Sequence, residues 1–326
     1  MPAKVYSPTP AHLHGLAAVL RRGGLVAIPT ETVYGLAANA LDAPACRAIF
    51  RAKGRPVNDP LIVHVLDLAQ AEQLAEFNPV ARKLARRFWP GPLTLVLPKK
   101  PCVPGVVTSG GTTVAIRAPA HPLARRLLAL AKVPLAAPSA NLFGYISPTE
   151  AAHVVSGLGR RIEHVLDGGA CAVGVESTVL DITDPRRPRI LRPGSIDAAM
   201  LKKFLRQPVG QTATRNEGRK QQLLAPGMLA RHYSPRTPLR LRDPGLRRPR
   251  DVAGIFLRRP AGAKAHNTDW LSERGALAEI ARNLYRVLRV ADQGRFREIW
   301  VEPLPAEAGG LAAAIRDRLK RAAAKR

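Results

Sequence analysis

Apolar positions in the first 200 residues follow two rhythms. Leu13, Leu16, Ala17 and Leu20 recur at helical spacing behind Thr9-Pro10, a capping hydroxyl followed by a first-turn proline, and Gly23-Gly24 ends the run. Leu25 to Ile28 is a short unbroken apolar run, the pattern of a buried strand, and Pro29 closes it. The same signals predict helices over residues 42–52, 80–88 and 121–131. They predict strands over 61–65, 93–97, 113–116, 135–137, 163–166, 177–182 and 189–191. Strands and helices mix without a strict strand–helix–strand rhythm, which predicts an α/β domain on a twisted, mixed sheet.

Near Arg206 the texture changes. Residues 207–222 are polar without a period, and residues 236–250 are dense in Arg and Pro. We divide the chain into a first domain over 1–206, a linker over 207–236 and a smaller α/β, Rossmann-like domain over 237–326. In the last part, residues 252–257 and 298–301 read as strands. Leu277, Ile280, Ala281, Leu284 and Leu288 line one helix face, and Leu311, Ile315 and Leu319 another. Two patterned stretches interrupt the linker, Ala225-Pro226-Gly227-Met228 and His232-Tyr233-Ser234-Pro235. Their stiff and permissive residues predict a shaped segment, a lid over residues 226–235.

Composition narrows the class. No run of 18 apolar residues occurs, and the first residues lack a basic end followed by an apolar core, so neither a membrane span nor a signal peptide is expected. Cys46, Cys102 and Cys171 are widely spaced and form no CxxC pair, which argues for a reducing, cytoplasmic setting and against a structural zinc site. The net charge of +27 predicts an anionic partner: a nucleotide, an RNA or an acidic protein face.

Polar clusters fall at predicted strand ends, where loops present side chains to ligands. Pro29-Thr30-Glu31-Thr32-Val33-Tyr34-Gly35-Leu36 follows the first apolar strand. Lys53-Gly54-Arg55-Pro56 follows a predicted helix and leads into Asn58 and His64; read as an extended segment, it points Lys53 and Arg55 to one side as a phosphate clamp. Pro138-Ser139-Ala140-Asn141, Gly174-Val175-Glu176-Ser177-Thr178 and Leu191-Arg192-Pro193-Gly194 occupy further strand ends. No P-loop, dinucleotide fingerprint, HExxH or nucleophile elbow is present. A set of Lys, Arg, Thr, Ser, Asn and His suits positioning and charge stabilisation, which phosphoryl or nucleotidyl transfer requires above all.

These segments, in this order, resemble the YrdC-like family, the threonylcarbamoyl-AMP synthases, over roughly residues 10 to 200. The C-terminal extension resembles the longer, two-domain branch. The resemblance implies a nucleotidyltransferase that condenses L-threonine, bicarbonate or CO2 and ATP to threonylcarbamoyl-AMP with release of pyrophosphate. A separate protein complex then uses the product to modify adenosine 37 of tRNA. It implies that Thr32, Tyr34, His64, Arg117 and Ser177 bind threonine. It implies that Lys53, Arg55, Asn58, Thr113, Ser139, Asn141, Ser147, Arg192 and His232 hold the nucleotide, with Lys53 and Arg55 the catalytic cations. Mg2+ is expected with ATP and no protein-caged metal. Phe143 stands where the family carries Ser, and Ala137 where some relatives carry a hydroxyl. Two other readings remain: a double-stranded RNA or tRNA-binding module without catalysis, favoured by the charge, and a carbamoyltransferase of the hydrogenase-maturation type.

Overall fold

The structure, a computed structural model, describes residues 2–211, 232–261, 267–306 and 309–324. The chain runs β1 (Lys4–Tyr6), α1 (Pro10–Arg21), β2 (Val26–Ile28), β3 (Gly35–Asn39), α2 (Ala43–Lys53), β4 (Ile62–His64), α3 (Leu68–Glu72), α4 (Pro79–Phe88), β5 (Leu93–Pro98), β6 (Thr113–Arg117), α5 (Pro122–Ala131), β7 (Leu135–Ala136), α6 (Ala151–Leu158), β8 (His164–Leu166), β9 (Thr178–Asp181), β10 (Arg189–Arg192), α7 (Ala198–Leu205) and β11 (Gly210–Gln211). It continues through β12 (Leu239–Leu241), β13 (Val252–Arg258), β14 (Thr268–Ser272), α8 (Leu277–Gln293), β15 (Glu298–Val301) and α9 (Leu311–Ala322).

Local signals explain the elements. Thr9, Asp42 and Asn78 each accept a backbone N–H as the N-cap of α1, α2 and α4, and a proline stands in the first turn of each. The apolar face of α1, Leu13, Leu16, Ala17 and Leu20, is buried against α5 and the sheet. Strands β2, β4 and β5 are apolar because both faces of the sheet are covered.

The sheet is mixed, as the pattern predicts. Its order is β1-β8-β2-β3-β7-β4-β6-β5-β9-β10-β11, with parallel pairs such as β4/β6 and β5/β9 among antiparallel ones. The parallel register sets His64 of β4 opposite Arg117 of β6. The second sheet, β12-β15-β13-β14, is parallel throughout. Its core, formed by Leu239, Ile255, Leu284, Tyr285 and Ile315 among others, also takes in Val33, Ile146 and Val175 from loops of the first sheet. The two sheets therefore share a core at the loops that carry the polar clusters.

Two expectations change. Lys53 and Arg55 do not lie on an extended segment: Lys53 closes α2, and Gly54 caps the helix with a left-handed φ of 60° that a Cβ would disfavour. Of the expected lid over 226–235, only His232 to Pro235 can be placed, because residues 226–231 lie outside the described residues, as do residues 212–231 of the linker generally.

Candidate active site

The loop after β2 folds on its own hydroxyls. Thr30 Oγ1 donates to the Val33 carbonyl at 2.6 Å, shares a 2.9 Å hydrogen bond with Thr32 Oγ1, and accepts from the Val33 amide. Thr32 thereby points toward Arg117, whose Nη1 donates to its hydroxyl at 2.9 Å. Arg117 also donates from Nε to the Gly91 carbonyl at 3.1 Å and pairs through Nη2 with Glu31 at 2.6 Å. Burial works against the Glu31 carboxylate, but Arg117 outweighs it and holds the pKa below the usual value. His64 lies beside this pair. Burial, then Arg117, lower its pKa to about 3, so the ring is neutral at pH 7.

Ser177 reaches the same space from the start of β9. Its Oγ shares a 2.7 Å hydrogen bond with Thr94 and accepts from Arg192 Nη2 at 3.1 Å, while Arg192 Nε donates to the Ser177 carbonyl at 3.2 Å. Arg192 ends β10, which runs antiparallel to β9; a register shift after Ile190 sets it opposite Val179, two residues from this serine. Arg55 enters from the far side, donating to the carbonyls of Asp59 at 2.9 Å and Pro60 at 2.8 Å and pairing with the Asp59 carboxylate at 2.8 Å.

These groups enclose one cavity, lined by Thr30, Thr32, Gly35, Arg55, His64, Arg117, Ser139, Glu176, Ser177, Arg192, His232 and Tyr233. Its volume is about 40 Å³. His232 and Tyr233 close one wall. The His232 ring stands edge-on to Phe143 with centroids 6.0 Å apart, and Tyr233 stacks on Tyr285 of α8 at 5.8 Å. Tyr233 has a φ of 63°, strained for a residue with a side chain and held by its complete burial. Its hydroxyl and His232 Nδ1 have no hydrogen-bond partner among the described residues.

Of the residues expected in the site, the fold brings Thr32, Arg55, His64, Arg117, Ser139, Ser177, Arg192 and His232 to the cavity. Lys53 and Asn141 stand behind it. Lys53 Nζ donates to the carbonyls of Ser139 at 2.5 Å and Asn141 at 2.6 Å, so it braces the Ser139 loop. Burial, then neighbouring Arg55, depress its pKa well below the usual lysine value. Ser147 also lies behind the wall, donating to Glu176 at 2.6 Å. Tyr34 points away, donating to the Gly169 carbonyl at 2.8 Å and accepting from the Gly168 amide at 3.0 Å. Asn58 is exposed, and Thr113 is half-buried at the far end of β6 from Arg117; neither lines the cavity. Thr30, Glu31, Asp59, Glu176 and Tyr233 belong to this arrangement and carried no assignment from the sequence.

A mixed α/β sheet that gathers hydroxyls, a neutral histidine and three guanidinium groups around one cavity has the chemistry of an enzyme that handles small polar, anionic molecules by positioning and charge. The comparisons narrow that class. The family model for Sua5, YciO and YrdC proteins, described as "Telomere recombination", matches residues 18–194, and the model described as "Threonylcarbamoyl-AMP synthase, C-terminal domain" matches residues 196–324. The threonylcarbamoyl-AMP synthase of Pyrococcus abyssi is 42% identical over 95% of this chain and 93% of its own. That of Bacillus subtilis is 40% identical over 95% and 92%. The crystal structure of P. abyssi Sua5 complexed with L-threonine superposes with a TM-score of 0.88, covering 98% of each chain at 37% identity. The chain belongs to the Sua5/YrdC family, in its two-domain form.

Proposed function

We propose that the protein is a threonylcarbamoyl-AMP synthase. It condenses L-threonine, bicarbonate or CO2 and ATP to threonylcarbamoyl-AMP and releases pyrophosphate. The observation that carries this reading is the convergence of Thr32, His64, Arg117 and Ser177 with Arg55 and Arg192 on one cavity, in a chain whose near full-length relatives bear that name.

Arg117 receives the threonine carboxylate, exchanging part of its contact with Glu31 and Thr32. His64, neutral, and Ser177 hydrogen-bond the amino acid. Neutral threonine amine adds CO2 to give a carbamate, which is labile in water, so shelter in the cavity protects it. A carbamate oxygen attacks the α-phosphorus of ATP, and the bond to the β,γ-diphosphate breaks. Arg55 and Arg192 offset the charge developing on the leaving pyrophosphate, while Lys53 braces the Ser139 loop behind them. Ser139, Asn141, Ser147 and His232 frame the nucleotide side, and Asn58 and Thr113 are left as more distant contacts. The carboxylates nearest the cavity, Glu31, Asp59 and Glu176, are paired with Arg117, Arg55 and Arg318. No cluster of three metal-ligating side chains occurs among the described residues. On this reading Mg2+ enters as part of the substrate, carried on the ATP phosphates.

On this reading residues 1–206 form the catalytic domain, 207–236 the connection that brings His232 and Tyr233 back to the site, and 237–326 the second domain. The product is consumed in the cytoplasm by a complex that transfers the threonylcarbamoyl group to adenosine 37 of tRNA. No helix among the described residues is long and apolar enough to cross a membrane. A bare RNA-binding module has no use for a neutral buried histidine gathered with Thr32, Arg117 and Ser177 on one cavity, and the synthase reading is preferred for that reason. The test is purified protein with ATP, bicarbonate and labelled threonine. Threonine-dependent pyrophosphate and a labelled adenylate are expected, and their absence overturns the reading.

A further inference from the structure

Arg318 lies on the last helix, α9, yet its side chain is fully buried against Glu176, 142 positions earlier. Its Nε donates to Glu176 Oε2 at 2.7 Å, and its guanidinium lies 5.1 Å from the centroid of the Tyr233 ring. Its Nη1 donates to Asp317 at 2.6 Å, and Asp317 in turn accepts from Arg321 at 2.9 Å. Glu176 also accepts the hydroxyls of Ser147 at 2.6 Å and of Tyr285 on α8 at 2.9 Å. Arg192 on β10 and His232 and Tyr233 complete the charged and titratable groups that face it. Burial alone would raise the Glu176 pKa; Arg318, then Arg192, outweigh it and hold it at about 2.

Glu176 precedes Ser177 and lines the same cavity as Arg55 and Arg192. A lone carboxylate there would repel a polyphosphate and compete with it for the Arg192 guanidinium, which here rests on Ser177. The second sheet and its helices thus contribute a cation at the point where the first sheet carries an anion. We infer that Arg318 is a positioning residue of the active site: it neutralises and fixes Glu176, so that this carboxylate neither repels the phosphates of a nucleotide nor draws the Arg192 guanidinium away from Ser177. The inference rests on the proposed nucleotide reading of the cavity and adds a role for the C-terminal helix within it.

The experiment uses the full chain and four variants: Arg318→Met, Arg318→Lys, Glu176→Gln and the double variant Arg318→Met/Glu176→Gln. Pyrophosphate release is measured with ATP and threonine varied separately, alongside unfolding midpoints. Arg318→Met is expected to raise KM for ATP about tenfold or more with KM for threonine nearly unchanged. That KM should fall again as the pH is lowered and the unpaired Glu176 takes up a proton. The double variant, having no anion to neutralise, should recover most of the affinity for ATP, and Arg318→Lys, which keeps the charge, should stay near wild type. A merely structural role for Arg318 moves both KM values together and leaves the double variant no better than Arg318→Met; that result, or an unchanged KM for ATP in Arg318→Met, overturns the inference. Should Arg318→Met fail to fold, the same decision falls to the double variant and Arg318→Lys: impaired ATP affinity in both, with threonine affinity equally impaired, overturns it. Wild-type protein that binds ATP yet releases no pyrophosphate would overturn the synthase reading alone, and the ATP Kd values of the same variants would then decide the inference.

Discussion

His64 shows how far surroundings set chemistry at a single residue. Burial and Arg117 both disfavour its imidazolium, and Glu31 offsets them only in part. Its pKa when folded, about 3, lies below the ordinary 6.5, so the unfolded chain binds the extra proton first. Stability is therefore fully present above about pH 6.5 and declines as the pH falls toward 3. In the middle of that window one such group contributes about 1.4 kcal/mol per pH unit. His121, His153 and His232 are lowered in the same direction, so His64→Asn should reduce the slope without abolishing it. Unfolding free energies at pH 7 and near pH 5 measure this, and an unchanged slope would contradict a neutral buried His64. Arg117 gives a second expectation. Its guanidinium serves Glu31, Thr32 and Gly91 at once, a geometry an ammonium cannot copy. Arg117→Lys should raise KM for threonine by about ten- to a hundredfold, one or two charge-assisted hydrogen bonds, and leave KM for ATP nearly unchanged. An equal rise for both substrates would place Arg117 elsewhere in the reaction. The sequence exposed Thr32 because it sits in a strand-end cluster, whereas Arg117 was reached only through the family resemblance. The sequence hid the roles of Glu31 and Glu176, although both stand in such clusters, because their partners lie 86 and 142 positions away and no local pattern pairs them.

At the scale of elements, the strongly periodic segments were readable and the small-residue ones were not. Helices α1, α2, α4 and α5 carry caps and apolar faces that announce them. Strand β3, Gly35–Asn39, is built from small residues at the end of a polar cluster and gives no alternation, and α6, Ala151–Leu158, lacks a side-chain cap. The Lys53–Arg55 stretch was misread because Gly54 permits both an extended path and the left-handed helix cap it adopts. The least visible feature is the docking of α8. Gly174 holds a φ of 81°, and a Cβ there would lie 2.4 Å from the Ala281 carbonyl oxygen and 2.4 Å from the Arg282 Cα. Both atoms are helix backbone, so the helix itself would have to move. Gly174→Ala should cost about 1–2 kcal/mol for the backbone conformation and about 1–3 kcal/mol for displaced packing. Because the Glu176–Tyr285 hydrogen bond crosses the same contact, pyrophosphate release should fall as well. Chemical unfolding and turnover together test this, and a variant with wild-type stability would show that α8 does not approach so closely.

For the whole molecule, the arrangement of cores decides what the second sheet is for. The two larger apolar clusters confined to the first part of the chain lie around Ile49, Leu61, Leu84 and Leu95 and around Leu16, Leu20, Ile28 and Leu128. A third joins Val33, Ile146 and Val175 to Leu284, Tyr285, Leu288 and Ile315. Those three residues sit next to Thr32, Ser147 and Glu176, so loops that shape the cavity take their packing from the C-terminal part. A chain ending at residue 206 keeps the first two clusters and should unfold cooperatively. It loses the cover of Val33, Ile146 and Val175, the guanidinium on Glu176, and His232 and Tyr233. Loops left without packing order the site poorly, and displacement of reacting groups by about 1 Å can lower turnover about a hundredfold. Pyrophosphate release by the truncated chain should therefore fall at least that far while its thermal transition remains. The net charge of +27 offers a contrary outcome: if the basic C-terminal part served only to hold RNA, truncation would weaken RNA binding, with its steep salt dependence, and leave pyrophosphate release intact. Measuring both activities on the full and truncated chains separates the two, and full turnover by residues 1–206 would mean that the shared core does not hold the catalytic loops in place.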